Sequence, residues 1–336
     1  MFKKIALVAA LAACFASAAQ AQGSVTVYGR LNITAERQDL DGNTQTLLAD
    51  NSSRIGFKGT EDLGNGLKAG FVLESGFDAT TGQAKSKFWG RESTVNLSSA
   101  QYGTVRLGNL TASEAYFATA DYVSMHNHDT GTSADAFYGY SAQAAEVATG
   151  HLTNAIGYTS PTINGFRGDV QVGLNDGEGD RRLALAANYD AGPLHLGAGY
   201  EEFNGLKVLA VRGLYEMGPW TFGGYIESDS GSADVDSLNN AALATDAKRT
   251  NVRVSAMYVM GASEFHANYG NAGEIGGRAN TGADQYTLGY NYNLSKRTKV
   301  YGYYTAIKAD GAEAASLYTG GAKDFSSFAV GIRHNF

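Results

Sequence analysis

Two residue combinations in this sequence could perform catalysis or bind a metal. Asp129-Thr130-Gly131 matches the tripeptide of aspartic proteases, and His126, His128 and Asp129 carry side chains that bind metal ions. An aspartic protease needs two carboxylates that share a proton, but the Asp-Thr-Gly tripeptide occurs only once. The histidines lie in a polar stretch, where a chance cluster is a better explanation than a metal site. We therefore predict neither a catalytic residue nor a metal ligand.

Longer enzyme motifs are also missing from the sequence. It contains no phosphate-binding Gly-x-x-x-x-Gly-Lys-Ser/Thr loop, no Gly-x-Ser-x-Gly elbow and no His-Glu-x-x-His. Ser, His and Asp are plentiful, but nothing at a defined spacing supports a hydrolase. The sequence predicts a protein that is not an enzyme and that needs no cofactor.

A charged residue in the middle of an alternating strand is a different kind of candidate. From Ser24 to Glu36, apolar and small residues alternate with polar ones, and Arg30 lies on the polar face. Side chains of a strand alternate between its two faces. In a soluble sandwich Arg30 would meet solvent, whereas in a closed barrel it would point into the lumen.

The last twelve residues, Phe325–Phe336, favour the closed barrel. Phe328, Val330, Ile332, His334 and Phe336 share one face, and smaller or polar residues share the other. An exposed edge strand that ends in Phe would invite aggregation in a soluble protein. In a closed barrel the last strand pairs with the first and no edge remains. We therefore assign Phe336 to barrel closure, with the last strand of a soluble β-sandwich as the alternative.

The N-terminus has the features of a secretory signal peptide. Lys3 and Lys4 precede an apolar run, and Ala19-Gln20-Ala21 forms an A-x-A cleavage site. We predict that residues 1–21 are removed and that residues 22–336 form one domain. Cys14 is the only cysteine, so a lipoprotein processing site is the competing interpretation. Under the main prediction the mature chain cannot form a disulfide, a zinc-thiolate site or a catalytic-Cys site.

Charge and hydropathy narrow the class further. Removing two lysines with the signal leaves 24 basic and 33 acidic side chains, a formal charge of −9. This acidity argues against a nucleic-acid binder. No later apolar run approaches the roughly 18 residues of a membrane-spanning helix. A membrane location would therefore require a β-barrel, whose strands have only one apolar face and so a low mean hydropathy, here −0.23.

Short turns alternate with longer polar connections along the chain. Seven short turns are predicted near 61–66, 98–101, 160–165, 190–192, 216–218, 259–261 and 293–296. Each contains Gly, Asn, Pro or Ser, which suit a reversing backbone. Eight longer connections are predicted at 38–51, 79–86, 111–152, 176–180, 204–206, 230–247, 272–282 and 308–324. Together they imply 16 strands, with short turns at one end and long loops at the other, as in transmembrane barrels.

Aromatic residues recur where predicted strands meet short turns. Tyr189, Tyr215 and Tyr258 each end an apolar face beside a turn. This position is typical of the aromatic girdle at a membrane interface. The segment 299–307 is ambiguous, because Tyr301, Tyr303 and Tyr304 do not share one parity.

The mature chain resembles the general porins of Gram-negative outer membranes, in particular the Neisseria/Burkholderia-type (betaproteobacterial) branch. The resemblance spans the whole mature chain, and its loose motifs occur in the order found in the family. They are Val25–Arg30, Ser53–Gly66, Arg91-Glu92-Ser93, Tyr102–Gly108, Asn154–Phe166 and Val330–Phe336.

The resemblance implies a homotrimer of 16-stranded barrels with water-filled pores. It also implies that the third long loop folds into the pore, so that its acids face a basic wall. The wall residues would be Arg30, Arg54 and Arg91, with Arg106 as a plausible addition. The acids that the loop offers are Glu114, Asp121, Asp129 and Asp135, together with Glu146.

Two features depart from the family pattern. His151 stands where an arginine is often found, and the Pro-Glu-Phe-Gly type of loop tip is missing. The sequence therefore does not show which loop acids face the lumen. Loop acids and wall arginines nearly balance, which favours anions only weakly.

We predict an all-β transmembrane barrel that forms a passive channel for ions and small hydrophilic solutes. The expected partners are outer-membrane lipid and lipopolysaccharide, a second and third copy of the chain, and the barrel-assembly machinery, which would read the C-terminal strand. A substrate-selective barrel channel is the first alternative, for which third-loop aromatics such as Tyr116, Phe117 and Phe137 are suggestive. An outer-membrane barrel enzyme and a soluble periplasmic β-protein are the others.

Overall fold

The computed structural model describes residues 23–110, 131–137, 152–174, 182–203, 206–231 and 247–336. These residues form one antiparallel sheet of 18 strands in which neighbours along the chain are neighbours in space. The predicted signal peptide lies outside the described residues. The strands are β1 (Ser24–Leu40), β2 (Asn43–Asp50), β3 (Arg54–Gly64), β4 (Leu67–Asp78), β5 (Gln83–Ala84), β6 (Glu92–Ser99), β7 (Gly103–Leu110), β8 (Leu152–Thr159), β9 (Phe166–Gly173), β10 (Arg182–Ala191), β11 (Leu194–Phe203), β12 (Leu206–Met217), β13 (Trp220–Gly231), β14 (Ala247–Met260), β15 (Ser263–Ala272), β16 (Ala283–Asn293), β17 (Thr298–Ala309) and β18 (Asp324–Asn335).

The barrel wall contains 16 strands, as the pattern of turns and loops predicts. β2 and β3 both pair with β1, one with each half of it, so together they form the second wall strand. β5 is a two-residue strand that pairs only with the end of β4. The other 15 segments each cross the wall once.

The last strand closes the barrel against the first. β18 pairs with β1 from Arg30 opposite Asn335 to Leu40 opposite Phe325. Beyond the strand, Gly29 and Phe336 exchange two backbone hydrogen bonds of 3.1 Å. The closure predicted from the C-terminal alternation is therefore confirmed, and Phe336 takes part in it.

The two faces of the wall differ in chemistry. On β1, Asn32, Thr34 and Glu36 are buried on the inner face, whereas Val25 and Val27 are exposed on the outer face. β14 repeats this pattern, with inward Asn251 and Arg253 alternating with outward Val252 and Val254. The polar residues thus lie inside and a band of apolar side chains surrounds the outside, the reverse of a soluble domain.

Outward aromatic rings form a continuous row beside the short turns. Trp220 lies 5.7 Å from Phe222 and 4.7 Å from Tyr258, measured between ring centroids. Phe265 continues the row, 6.4 Å from Tyr258 and 5.2 Å from Tyr290. This arrangement confirms the aromatic girdle on these strands.

The seven predicted short turns are confirmed, but the prediction of a long first loop at 38–51 is wrong. β1 continues to Leu40 and β2 begins at Asn43, so most of 38–51 is paired strand. Asp41 and Gly42 alone make the turn, with φ of 52° and 86°. Asp-Gly suits such a two-residue hairpin because both positions need positive φ.

Helical structure is confined to loops in the part of the chain that is described. The helix α1 (Ala312–Tyr318) lies in the last long loop, and short 3-10 turns span Gly131–Ser133 and Ile275–Gly277. None of the helices among the described residues is long and apolar enough to cross a membrane.

Candidate functional site

Four arginines extend along one side of the lumen, and we call them the arginine wall. Arg30 on β1 lies directly opposite Arg54 at the start of β3. Arg91 immediately precedes β6, and Arg106 lies on β7. All four are partly exposed, and the register assigns Arg30, Arg54 and Arg106 to the inner face. Alternation from the inward Glu92 would direct Arg91 outward, but its side chain bonds the inward Glu74 instead.

A carboxylate that sequence reasoning missed links two of these arginines. The Nε of Arg91 donates to Oε1 of Glu74 at 2.6 Å, and Nη1 of Arg54 lies 3.9 Å from the same oxygen. The side chain of Glu74 is 12% exposed and that of Arg91 is 26% exposed. Glu74 therefore fixes the direction of two arginines while both keep contact with lumen water.

The weak alternation of β4 explains why Glu74 was missed. The inner face of this strand reads Lys68, Gly70, Val72, Glu74 and Gly76, with no polar majority. Glu92 lies opposite Glu74 on β6 and was not predicted as a site residue either, although β6 alternates clearly. The hydroxyl of Thr94 donates to Glu92 at 2.8 Å.

Arg106 is separated from the Glu74 group and held by another strand. Its Nη2 donates to the hydroxyl of Thr159 on β8 at 3.1 Å. Gly157, opposite Arg106 in the register, leaves room for this side chain. Arg106 therefore extends the arginine wall toward β8.

The basic row also continues on the other side of Arg30. Arg333 on β18 lies opposite both Asn32 and Lys299, and all three face inward. The ammonium of Lys299 lies over the ring of Tyr301, 5.6 Å from its centroid. Lys299 was not predicted as a site residue, because Tyr301, Tyr303 and Tyr304 obscured the parity of β17. Arg333 lies on the polar face predicted for the last strand but was not named as a site residue. In the structure Tyr301 and Tyr303 face inward and Tyr304 faces outward.

The described part of the third long loop, residues 131–137, lies inside the barrel against β1 and β13–β17. The hydroxyl of Thr132 donates to Glu36 at 3.0 Å, and its backbone N–H donates to Tyr303 at 3.1 Å. Gln285 on β16 accepts from the N–H of Ala136 and donates to the carbonyl of Ala134. The inward fold of the third loop is therefore confirmed for this segment.

Asp135 is the predicted loop acid that the structure describes, and it does not face open water. Its carboxylate accepts from Nε of Arg253 at 2.8 Å and from Nη2 at 2.6 Å. The hydroxyl of Tyr225 also donates to it. Because the Asp135 side chain is only 6% exposed, the structure places it as an anchor of the loop. A two-pronged arginine–carboxylate pair of this kind holds both position and direction.

Phe137 extends the anchor toward the outer end of the barrel. Its ring packs edge-on against Tyr318 at 5.2 Å and belongs to a buried cluster with Ala272, Ala283, Ile307 and Phe325. Its carbonyl accepts from Nη2 of Arg249 at 2.7 Å and from Asn251 at 3.0 Å. Burial raises the pKa of Tyr318, which ends helix α1, so this hydroxyl stays protonated beside Arg249.

The other predicted constriction residues lie outside the described residues. These are Glu114, Asp121, Asp129 and His151. The same holds for His126 and His128, which were considered as metal ligands. Within the described ranges, no cluster of three or more His, Cys, Asp or Glu side chains could hold a metal ion.

The charged side chains of the lumen can select among solutes without catalysing a reaction. The lumen presents the partly exposed arginine wall, whereas Asp135, the acid of the described loop segment, is already paired with Arg253. Fixed charges in a narrow water-filled passage filter ions by charge and orient dipolar solutes. The inward aromatics Phe137, Tyr301 and Tyr303 are buried, so they offer no stacking surface to a sugar.

Comparison with known proteins supports this interpretation at the level of family. The sequence model of a family described as Gram-negative porin matches residues 6–312. The outer membrane porin protein 32 of Delftia acidovorans is 31% identical and covers 100% of both chains. An outer membrane porin protein of Bordetella pertussis is 29% identical, over 99% of this chain and 100% of that protein.

Solved structures agree with the fold. The anion-selective porin from Comamonas acidovorans superposes with a TM-score of 0.76 at 27% identity, over 94% of this chain and 100% of that chain. A loop-deletion mutant of OmpT from Vibrio cholerae gives a TM-score of 0.70 at 16% identity, which shows the shared fold alone; it covers 94% of this chain and 99% of that chain.

Proposed function

Because this chain belongs to the Gram-negative porin family and forms a passive outer-membrane channel, we propose that its pore prefers anions over cations. The channel itself follows from the family, the relatives and the closed barrel. The preference is a finer statement about the described inner surface. It rests on which charges face lumen water and which are withdrawn from it.

The observation that carries the proposal is the unequal burial of the two signs of charge. The arginine wall is partly exposed to the lumen, as are Lys299 and Arg333. The acids beside the loop segment, Glu36 on β1 and Glu227 and Asp229 on β13, are fully buried and hydrogen-bonded. An exposed charge acts on a passing ion, whereas a paired and buried one is largely cancelled. The described inner surface therefore acts as a net positive one.

The relatives support this sign. One structurally similar protein, from Comamonas acidovorans, is an anion-selective porin. The overall charge of the chain does not oppose the proposal, because many acids lie in loops and turns at the ends of the barrel.

Planar-bilayer recording in a KCl gradient tests the proposal. For the wild-type protein we expect a reversal potential closer to the chloride equilibrium potential than to the potassium one. Arg54→Gln should shift it toward the potassium equilibrium potential, and Arg54→Glu should shift it further. Lys296→Glu is the matched control, because it makes the same change of charge on an exposed residue in a short turn. A cation-selective wild type, or an equal shift from Lys296→Glu, would refute the assignment.

We further propose the assembly and the partners that the family resemblance implies. The chain would be exported by its signal peptide, be folded by the barrel-assembly machinery through the strand that ends in Phe336, and form a homotrimer that contacts lipopolysaccharide. We also propose that it has no catalytic activity. Three equal conductance steps per insertion in the bilayer recording are the expected signature of the trimer.

A further inference from the structure

Two carboxylates lie side by side at the arginine wall, and they differ in what they contact. Glu74 on β4 and Glu92 on β6 are directly opposite each other in the register, and both face the lumen. Neighbouring strands are about 4.8 Å apart, so the two acids are close. Like charges directly opposite each other destabilise a sheet unless other groups compensate them. The partners of each carboxylate therefore decide what the pair can do.

Glu74 is paired with groups of the protein itself. Arg91 lies 2.6 Å and Arg54 3.9 Å from its Oε1, and the hydroxyl of Tyr28 also donates to this carboxylate. Gly76 lies beneath the first of these contacts, since a Cβ there would be 3.4 Å from Cδ of Arg91. With two guanidinium groups and a hydroxyl around it, the charge of Glu74 is compensated from within the wall.

Glu92 has no such compensation. The hydroxyl of Thr94, a neutral donor, bonds its Oε1 at 2.8 Å. Arg106 attracts Glu92 through space, but no basic side chain forms an ion pair with it in the described part of the chain. Because Glu92 is partly exposed, one negative charge on the arginine wall remains accessible from the lumen.

The wall thus presents the two signs of charge at separate places on neighbouring strands. Arg54 on β3 and Glu92 on β6 flank Glu74 on β4 from its two sides. A guanidinium and an uncompensated carboxylate at this separation match a solute that carries both a carboxylate and an ammonium group. Charge-assisted hydrogen bonds at both ends would hold such a solute in one orientation.

We propose that this part of the arginine wall is a subsite for zwitterionic solutes such as amino acids, with the solute carboxylate at Arg54 and its ammonium at Glu92. The inference rests on the proposed function and names a solute class for the same wall. A simple anion would meet the same arginine but would be repelled by Glu92. The ammonium of a zwitterion, in contrast, relieves the repulsion between Glu92 and Glu74.

Conductance block by an amino acid without net charge tests the subsite. L-glutamine is titrated into planar-bilayer recordings of the mature protein in KCl at pH 7, and the uncharged sugar L-arabinose is the comparison solute of similar size. We expect saturable block by glutamine and much weaker block by arabinose. Glu92→Gln should raise the half-blocking concentration of glutamine at least about fivefold, because a charge-assisted hydrogen bond is lost. Block by acetate, which has no ammonium group, should not weaken in this variant.

Glu264→Gln is the matched control. Glu264 also faces the lumen, but it lies on β15, where Asn291 and Asn293 donate to its carboxylate. The variant makes the same change of charge away from Arg54, so the half-blocking concentration of glutamine should stay within about twofold of the wild-type value. Equal block of wild type and Glu92→Gln, an equal loss in Glu264→Gln, or arabinose block as strong as glutamine block in the wild type would overturn the proposal.

Reversal potentials of the same proteins distinguish failure of the subsite from failure of the proposed function. Removal of an ionised carboxylate from the arginine wall should move the potential of Glu92→Gln toward the chloride equilibrium potential. An unchanged potential would mean that Glu92 carries a proton at pH 7, and it would overturn the subsite. An anion-selective wild type that glutamine does not block would overturn the subsite alone, whereas a cation-selective wild type would overturn the proposed function.

Discussion

Charged side chains inside this barrel fall into two groups that differ in burial. Arg249 and Arg253 are buried and paired with Asp229 and Asp135. Arg54 and Arg91, in contrast, share one carboxylate and keep contact with the lumen. Breaking a buried pair leaves an uncompensated charge, whereas an exposed pair contributes little to stability. The first group should therefore control loop position, and the second should control ion passage.

Asp135→Asn should release the third loop from the wall without unfolding the barrel. Loss of the carboxylate leaves Arg253 buried without its charge partner, a change that costs about 3–5 kcal/mol in such sites. We expect noisier open-channel current and faster proteolysis within the third loop. Single-channel recording and limited proteolysis of folded protein measure both.

The double variant Asp135→Asn/Arg253→Gln gives the sharper comparison. Removing both charges leaves neither unpaired. The increase in current noise and proteolysis should therefore be smaller than the sum of the increases caused by Asp135→Asn and Arg253→Gln alone. Arg278→Gln, which removes a partly exposed pair with Glu313 in the outer loops, is the control. An Asp135→Asn channel as quiet and protease-resistant as wild type would contradict the anchor.

Asp41→Asn should reduce the stability of the folded barrel near neutral pH but not at strongly acidic pH. The backbone N–H groups of Asp324 and Lys323 hold the pKa of the Asp41 carboxyl below its usual value, about 3.9 in an unfolded chain. The stabilisation is complete above that unfolded pKa and is lost as the pH falls through the lower folded pKa. Asn keeps the positive φ of this turn but lacks the charge.

Unfolding of wild type and Asp41→Asn in detergent, followed by circular dichroism from pH 3 to pH 7, checks this dependence. The gap between the two midpoints should be constant near neutral pH and should narrow below about pH 4. A gap that is independent of pH would show that the carboxylate charge has no part in it.

At the residue scale, alternation predicted that Arg30 faces inward, and the family resemblance supplied Arg54, Arg91 and Arg106. Neither showed what these arginines contact, and alternation from Glu92 would have directed Arg91 outward. Glu74 could not be predicted, since the neighbours that share its face are small or apolar. The pairing of Asp135 with Arg253 joins residues 118 positions apart in the chain, which no local pattern shows.

At the scale of strands, the seam between β1 and β18 depends on a glycine. A Cβ on Gly29 would lie 2.4 Å from Cζ of Phe336 and 2.5 Å from the carbonyl oxygen of Arg54. The ring of the last residue thus covers Gly29, while the backbone of β3 blocks the other side. The aromatic C-terminus and the glycine in the first strand fit together at the seam.

Gly29→Ala should destabilise the closed barrel by roughly 1–3 kcal/mol, the usual cost of overpacking. Gly213→Ala is a matched control, because its Cβ would meet only Leu196 at 3.5 Å on an equally outward position. Heat-modifiable migration on gels and refolding yield in detergent measure the difference in barrel stability between the two variants. Equal melting of the two variants would mean that the seam relaxes freely.

Element boundaries followed from turn chemistry where the turns were short. Gly, Asn, Pro or Ser marked all seven turns between wall strands. The first long loop was misjudged because polar residues continue along both arms of the hairpin, although Asp41-Gly42 is itself a turn signal. Helix α1 was not predicted, since seven residues in a polar loop give little periodicity.

At the scale of the whole molecule, the strand count was predictable because it is set by alternation of turns and loops. The inward fold of the loop segment was expected from family resemblance, but its anchoring through Asp135 and Arg253 was not.

The seam between the first and last strands also constrains the timing of biogenesis. Arg30 bonds Asn335 across 305 positions, so the barrel cannot close until the ribosome has made the C-terminus. At about 5–20 residues per second, the chain spends tens of seconds with both edge strands unpaired. The native pairing is therefore delayed until after synthesis, and the apolar strands must be shielded from one another until then. A chain truncated by one strand would remain an open sheet rather than become a smaller pore.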